Sequence, residues 1–265
     1  MPESAPVSAG RRPLFFLDLD DTLFQTARKM SEAQRERAVV AAVDRQGKPS
    51  SFMTETQRNL LDWLNENACL IPVTGRGTEE LGRVRIAFRS WRIATHGAVI
   101  LTPDGSEDAV WRERILGIVR PLRDELRHIA QCCTDYFVRR GYDAFARINQ
   151  EYGTDIYLVM KHRDNSRLPE LYAVVDDVLS GLDRSHFVLS SNDNNISLLP
   201  RGIDKAAALR HLLDTLDAEG GARPTVGLGD SLSDMPFLAL CDWWGMPRHS
   251  QLAGAVGRIV GEGER

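Results

Sequence analysis

The sequence has no long hydrophobic run: no stretch of its 265 residues approaches the roughly 18 apolar residues of a membrane-spanning helix. It is poor in cysteine. The four residues Cys69, Cys132, Cys133 and Cys241 show no C-x-x-C spacing, which excludes the usual thiolate metal and redox motifs and suits buried, reduced thiols. No sign of charge dominates, since 33 Lys and Arg against 37 Asp and Glu leave a net −4 with the arginines scattered among acids. That balance gives no electrostatic reason to expect nucleic acid or an anionic membrane as partner. Histidines are few, and His128, His162, His186, His211 and His249 lack metal-ligand spacing and are expected at the surface or partly buried. Residues 1–6 lack the basic and apolar regions of a signal peptide, so a cytoplasmic location is the expectation. There is no internal repeat and no low-complexity tract. At 43% hydrophobic residues, the chain can bury one good core and still build a smaller second domain.

What is present is an apolar run, Leu14-Phe15-Phe16-Leu17, that stops at once in Asp18-Leu19-Asp20-Asp21-Thr22-Leu23. Four strand-forming residues followed by acids predict a buried strand at residues 14–18 that delivers carboxylates to its C-terminal end. Open α/β sheets bind ligands at that edge. Carboxylates this close repel one another unless a cation or proton compensates, so the pattern predicts Mg²⁺-assisted attack on a phosphate ester.

The rest of the chain alternates strand and helix. Residues 1–13, rich in Pro, Ser, Ala and Gly, read as a loose tail. Thr54-Glu55-Thr56-Gln57 has the form of a capping box, and Leu60, Leu61 and Leu64 mark one apolar helix face to about residue 67. Residues 69–73 predict a strand running into Thr74-Gly75-Arg76, with Pro72 at its end because proline cannot donate to a ladder. Thr78 is the expected cap of a helix carrying Leu81, Val84 and Phe88, and residues 91–95 return as a strand. The rhythm resumes with Asp204 capping a helix that carries Leu209, Leu212, Leu213 and Leu216, then a strand at 225–228 ending in Gly229-Asp230. Trp243 and Trp244 are expected in the last core strand and its packing.

Residues 102–198 break that rhythm, with a helix through 118–138, strands at 145–149 and 155–161, a helix at 168–179 and a strand at 187–191. A β-hairpin is expected at residues 38–53. The fold class predicted is therefore α/β: a Rossmann-like, mostly parallel core at residues 14–101 and 199–265, with an inserted α+β cap at 102–198.

Four separated motifs fall at these strand ends and helix starts: D-x-D-x-T at Asp18, Asp20 and Thr22; T-G-R at Thr74, Gly75 and Arg76; Lys205; and G-D-x-x-x-D at Gly229, Asp230 and Asp234. In this order they resemble the haloacid dehalogenase superfamily. With the large (type II) cap, the likeness is to Cof-type and sucrose- or trehalose-phosphate phosphatases, and it spans residues 14 to about 240. It implies a Mg²⁺-dependent phosphatase acting through an aspartyl-phosphate on a small phosphorylated metabolite, a sugar phosphate or related phosphomonoester. On that resemblance Asp18 is the nucleophile, and Asp20 protonates the leaving oxygen and later takes a proton from water. Thr74, Gly75 and Lys205 would bind phosphate. Asp18, the Asp20 main-chain carbonyl and Asp230 would ligate Mg²⁺, supported by Asp234. Asp21 reads as a solvated loop residue and Thr22 as a tie within the loop.

Substrate choice is expected from Arg76, from His96 in Thr95-His96-Gly97-Ala98, and from the cap. Period two puts Arg147 with Asn149 and Tyr157 with Lys161, a cationic, hydrogen-bonding face suited to a polyhydroxylated or anionic leaving group; Asn194, in the polar loop 190–195, is a further contact. The bland alternatives are a hairpin-corner histidine and a solvated sheet face. A phosphomutase or phosphotransferase, or a non-catalytic regulatory module, remains open, as do the oligomeric state and the role of the hairpin.

Overall fold

The computed structural model describes residues 12–191, 193–220 and 223–262; residues 1–11 of the expected tail and Asn192 of the polar loop lie outside the described residues. Two compact units divide the chain, Met1–Asp108 with Asp204–Arg265, and Ala109–Ile203. The first unit begins with β1 (Leu14–Leu17), β2 (Gln25–Thr26), α1 (Glu32–Glu36), β3 (Val39–Val43), β4 (Pro49–Met53), α2 (Glu55–Asn67), β5 (Cys69–Pro72), α3 (Thr78–Leu81), β6 (Arg92–Ala94) and β7 (Val99–Leu101). The second consists of α4 (Ala109–Arg140), β8 (Ala144–Glu151), β9 (Thr154–His162), α5 (Leu168–Asp177), β10 (Phe187–Ser191) and β11 (Ile196–Pro200). The first is then completed by α6 (Lys205–Gly220), β12 (Thr225–Leu228), α7 (Met235–Leu238), β13 (Trp243–Gly245) and α8 (Gln251–Glu262).

The core sheet runs β13-β12-β1-β5 with every pairing parallel. Phe16 and Leu17 on β1 are fully buried, as befits a parallel strand covered on both faces. Leu17 stands opposite both Leu228 and Pro72, so three strands end level and the residues after them emerge together at one edge. Pro72 is the last residue of the edge strand β5, where its missing N–H costs the ladder least.

The expected capping box of α2 is present: the Gln57 N–H donates to Thr54 Oγ1 and the Thr54 N–H to Gln57 Oε1. Gln57 Nε2 also donates to Gln25 Oε1 at 2.9 Å, tying the helix start to β2. Helix α2 buries Leu61 and Leu64 but leaves Leu60 44% exposed, so the apolar face is narrower than the leucine spacing predicts. The hairpin at 38–53 is β3 and β4, joined by β2 into an antiparallel sheet of order β2-β4-β3.

Several expectations are corrected. Helix α3 has Gly77, not Thr78, at its cap and stops at Leu81. The predicted continuation to Phe88 does not form; the chain turns after Leu81 and Val84 bridges Ala42 of β3, where Arg85 N–H donates to Ala41 O and Val43 N–H to Arg83 O. Trp243 and Trp244 do lie in the last core strand, but β13 is a three-residue sheet edge and they are 61% and 42% exposed rather than packed.

In the second unit, β10-β11-β9-β8 is wholly antiparallel and α4 and α5 pack on it through Leu126, Ile129, Phe137, Leu171 and Val174 against Leu158, Met160 and Leu198. Helix α4 is longer than the periodicity predicts, running 32 residues through Pro121. Strand β11 was not expected. Its five residues are all buried between β10 and β9, whereas the sequence predicts no strand between residue 191 and the helix capped by Asp204. His162 is buried, with Nδ1 accepting from the Asp164 N–H and Nε2 facing Glu170, not at the surface. The four cysteines are free, and among the described residues no helix is long and apolar enough to cross a membrane.

Removing the Thr54 hydroxyl in Thr54→Ala is expected to lower unfolding free energy by about 1 kcal/mol. Urea titration should show a lower midpoint with unchanged slope.

Candidate active site

Because β1, β5 and β12 end level, Asp18, Thr74 and Asp230 issue from neighbouring strand ends. The Asp18 N–H donates to Leu228 O at 2.9 Å, extending the ladder one residue, and the side chain is buried. Lys205, the first residue of α6, donates from Nζ to Asp18 Oδ1 and Asp234 Oδ1, both at 2.6 Å. Asp204 caps that helix through Oδ1, which accepts from the Ala207 N–H. Gly97 sits at φ +98°, and a Cβ there would lie 2.3 Å from Asp204 O; only glycine lets the corner between β6 and β7 lie so close against the start of α6.

Asp234 spends its second oxygen on its own loop. Oδ2 accepts from Ser231 Oγ at 2.7 Å, the Ser231 N–H at 3.0 Å and the Asp230 N–H at 3.3 Å. Among the described residues Asp18 Oδ2 and Asp230 Oδ1 receive only long contacts from Thr22 Oγ1, at 3.3 and 3.5 Å, so Thr22 reaches both its own loop and the one after β12. Ligand oxygens from Asp18, Asp230 and Asp234 lie within 4.8 Å of one another. Hard oxygen donors at this spacing fit a divalent cation, and the two with oxygens least engaged are Asp18 and Asp230.

The electrostatics point the same way. Burial, with the neighbouring carboxylates Asp234 and Asp20, pushes Asp18 up to about 8 in spite of Lys205. Burial and Asp234 push Asp230 up to about 6. Burial alone would raise Asp234, but the Lys205 charge and its hydrogen bonds hold it below the ordinary carboxylate range. Burial works against the Lys205 ammonium, yet Asp18 and Asp234 outweigh it and raise its affinity for the proton. The cluster thus carries more carboxylate than its one lysine neutralises.

Thr74 is buried and its hydroxyl accepts from the Arg76 N–H at 3.1 Å. The His96 ring lies against Gly75, where a Cβ would come within 2.5 Å of it, and the His96 N–H donates to Thr74 O. His96 therefore occupies the β6–β7 corner, at φ +57°. Arg76, an expected substrate contact, grips Asp20 through two bonds: Nε to Oδ2 at 2.7 Å and Nη2 to Oδ1 at 2.8 Å. Asp21 adopts φ +63° and pairs with Lys29 at 2.6 Å. Ser51 of β4, which donates no motif to the sequence, accepts from Arg76 Nη2 at 3.1 Å; its one signal is an inward strand position.

Arg147, Asn149, Tyr157 and Lys161 lie in the second unit, on the face of its sheet away from Leu158 and Met160. Asn149 pairs with Tyr157 in register and donates to its hydroxyl at 2.6 Å. Asn194 is committed to structure: Oδ1 accepts from the His162 N–H, and Nδ2 donates to His162 O and Asn165 Oδ1.

No protein-family model matches the sequence, and no curated protein matches it. Solved structures do. The chain is similar to the sucrose-phosphatase of Synechocystis in complex with sucrose and phosphate, at 18% identity and a TM-score of 0.53, over 91% of this chain and 84% of that one. It is similar to the C-terminal domain of the C. albicans trehalose-6-phosphate phosphatase at 16% identity and a TM-score of 0.51, over 86% and 73%. A haloalkanoate (HAD) superfamily phosphatase from Bacteroides thetaiotaomicron matches at 12% identity and a TM-score of 0.50, over 97% and 98%. At these identities the likeness is one of fold. The chain has the fold of the haloacid dehalogenase phosphatases.

Proposed function

We propose that this chain is a Mg²⁺-dependent phosphomonoesterase that hydrolyses a small phosphorylated metabolite, a sugar phosphate or related ester. The observation that carries the reading is Lys205 Nζ held between Asp18 and Asp234, with Asp230 beside them, at the ends of parallel strands. Asp18 Oδ2, the Asp20 main-chain carbonyl and Asp230 would hold the Mg²⁺, with Asp234 orienting their loop. When bound, the ion supplies positive charge to phosphate oxygens and to the crowded carboxylates.

Asp18 attacks phosphorus, and the bond from phosphorus to the leaving oxygen breaks with its electron pair staying on that oxygen. Asp20 gives that oxygen a proton and then takes one from the water that attacks phosphorus and breaks its bond to Asp18, releasing phosphate and the free carboxylate. Thr74 and Lys205 offer a hydroxyl and an ammonium to the phosphoryl oxygens. The sugar-phosphate part of the reading is supported by neighbours that are sucrose- and trehalose-6-phosphate phosphatases. A protein of this kind is expected to act in the cytoplasm.

Asp18→Asn should reduce phosphate release from an aryl phosphate by on the order of 10⁴-fold or more, as loss of a nucleophile does, with the fold intact by circular dichroism. Full activity in that variant would end the reading. Release of free phosphate, rather than transfer to a sugar hydroxyl, separates it from a phosphotransferase.

The proton balance gives a second expectation. With Asp18 raised to about 8 and Asp230 to about 6, both tend to hold protons in the metal-free protein, so Mg²⁺ must displace them. Affinity should rise with pH between about 6 and 8, and calorimetry in two buffers of different ionisation enthalpy should detect the released protons. In the metal-free fold Asp18 keeps a proton that the unfolded chain loses above the ordinary carboxyl value of 3.8, up to about 8, so this group's contribution to stability should fall as pH rises through that window. Chelation should abolish turnover, and added Mg²⁺ should restore it.

A further inference from the structure

We infer that Arg76 and Ser51 are positioning residues for Asp20, so that the inserted hairpin orients the proton donor of the reaction. The inference rests on the phosphatase reading above and extends it to the hairpin.

Arg76 is fixed at both ends. Its N–H donates to Thr74 Oγ1 at 3.1 Å, and its carbonyl accepts from the Thr95 N–H at 2.7 Å, so the backbone is locked into the loop after β5. Its guanidinium lies 5.0 Å from the centroid of the Phe24 ring, and Phe24 is fully buried. Beyond the ring, Nη2 donates to the hydroxyl of Ser51, itself 2% exposed on β4. The planar fork is thus set in angle by an aromatic face and in depth by a buried hydroxyl before it meets its carboxylate. The side chain is 16% exposed, and Asp20 is 47% exposed. A surface pair of equal flexibility would be worth little. Here one partner is rigid and covered, so it dictates where the other stands.

Asp20 needs such help. It lies in the loop after β1, flanked by Asp21 at φ +63°, and no strand ladder holds its side chain. A free carboxylate there would sample several rotamers, and proton transfer requires one. The two-point contact removes that freedom without consuming the group. The fork takes one lone-pair site on each oxygen, which leaves a further site on one oxygen for the proton that is transferred and on the other for an acceptor contact. In the reaction the electron pair of the broken bond remains on the leaving oxygen and the proton comes from Asp20; Arg76 gives up nothing and only sets the direction. This also gives β3 and β4 a task, since Ser51 is the hairpin's hydrogen-bonded contact with the guanidinium.

The test is the dependence of rate on leaving group. Proton donation matters most when the departing oxygen is basic, so turnover with Mg²⁺ is measured for 2,4-dinitrophenyl, 4-nitrophenyl and unsubstituted phenyl phosphate. Arg76→Ala should lose less than about threefold on the dinitrophenyl ester and on the order of 10²-fold on the phenyl ester, the usual worth of a positioned acid. Ser51→Ala, a change of one buried atom that keeps the fold, should steepen the same dependence by about fivefold on phenyl phosphate. Arg76→Lys, which keeps the charge and loses the fork, should fall between Arg76→Ala and the parent protein. Equal losses across the series for Arg76→Ala would overturn the inference, as would a Ser51→Ala protein identical to the parent. Failure of the parent protein to hydrolyse any of the three esters would instead remove the phosphatase reading on which it rests.

Discussion

Everything at the strand ends depends on placing one ammonium between two buried carboxylates. Asp18 and Asp234 each lie 2.6 Å from Lys205 Nζ, and both are among the most buried acids of the chain. Neither would be stable there alone, because an unpaired buried charge costs several kcal/mol. Nearby charges are matched in turn, Asp20 by Arg76 and Asp21 by Lys29. Among the described residues no cation bonds to Asp230, and its neighbours push its proton affinity upward. The imbalance is therefore localised beside Asp18, on the oxygens that face no lysine. On the proposed reading, a bound cation supplies the missing positive charge.

That arrangement requires the fold rather than a local motif. Lys205 and Asp18 are 187 positions apart, and they meet because β1, β12 and β5 end level while α6 starts against the corner at Gly97. The parallel sheet supplies the level edge, and the close approach at Gly97 supplies the reach. Neither would be possible if the strands were out of register by one residue, since the side chain following each strand would then point to the other face.

The parts legible in the sequence were those fixed by local chemistry. An apolar run ending in Asp18 and Asp20, a capping box at Thr54 and Gln57, and Pro72 at a strand end each state their own structure within a few residues. The hairpin at 38–53 was readable for the same reason. What failed was decided by partners distant in sequence. Residues 82–88 have helical spacing, but the bridge from Val84 to Ala42 of β3 holds them out of a helix. Ile196–Pro200 carries no mark of a central strand until β9 and β10 stand on either side. The tryptophans of β13 read as core by composition, yet an edge strand leaves them in solvent.

The deepest distinction lies between two identical side chains two residues apart. Asp18 is 8% exposed and bound to a lysine, a compact charge that must be shared with Asp234. Asp20 is 47% exposed and held by a planar fork that leaves its outer lone pairs open. On the proposed reading, burial makes the first a poor home for charge until a cation arrives, which would couple attack on phosphorus to metal binding. Exposure and a fixed orientation would suit the second to exchanging protons with a leaving group and with water, since pairs of titratable groups whose surroundings pull them apart can divide the roles of nucleophile and acid. In this chain the two surroundings are set by residues outside the D-x-D motif: Lys205 arriving on α6 for Asp18, and Arg76, beside Phe24 and Ser51, for Asp20.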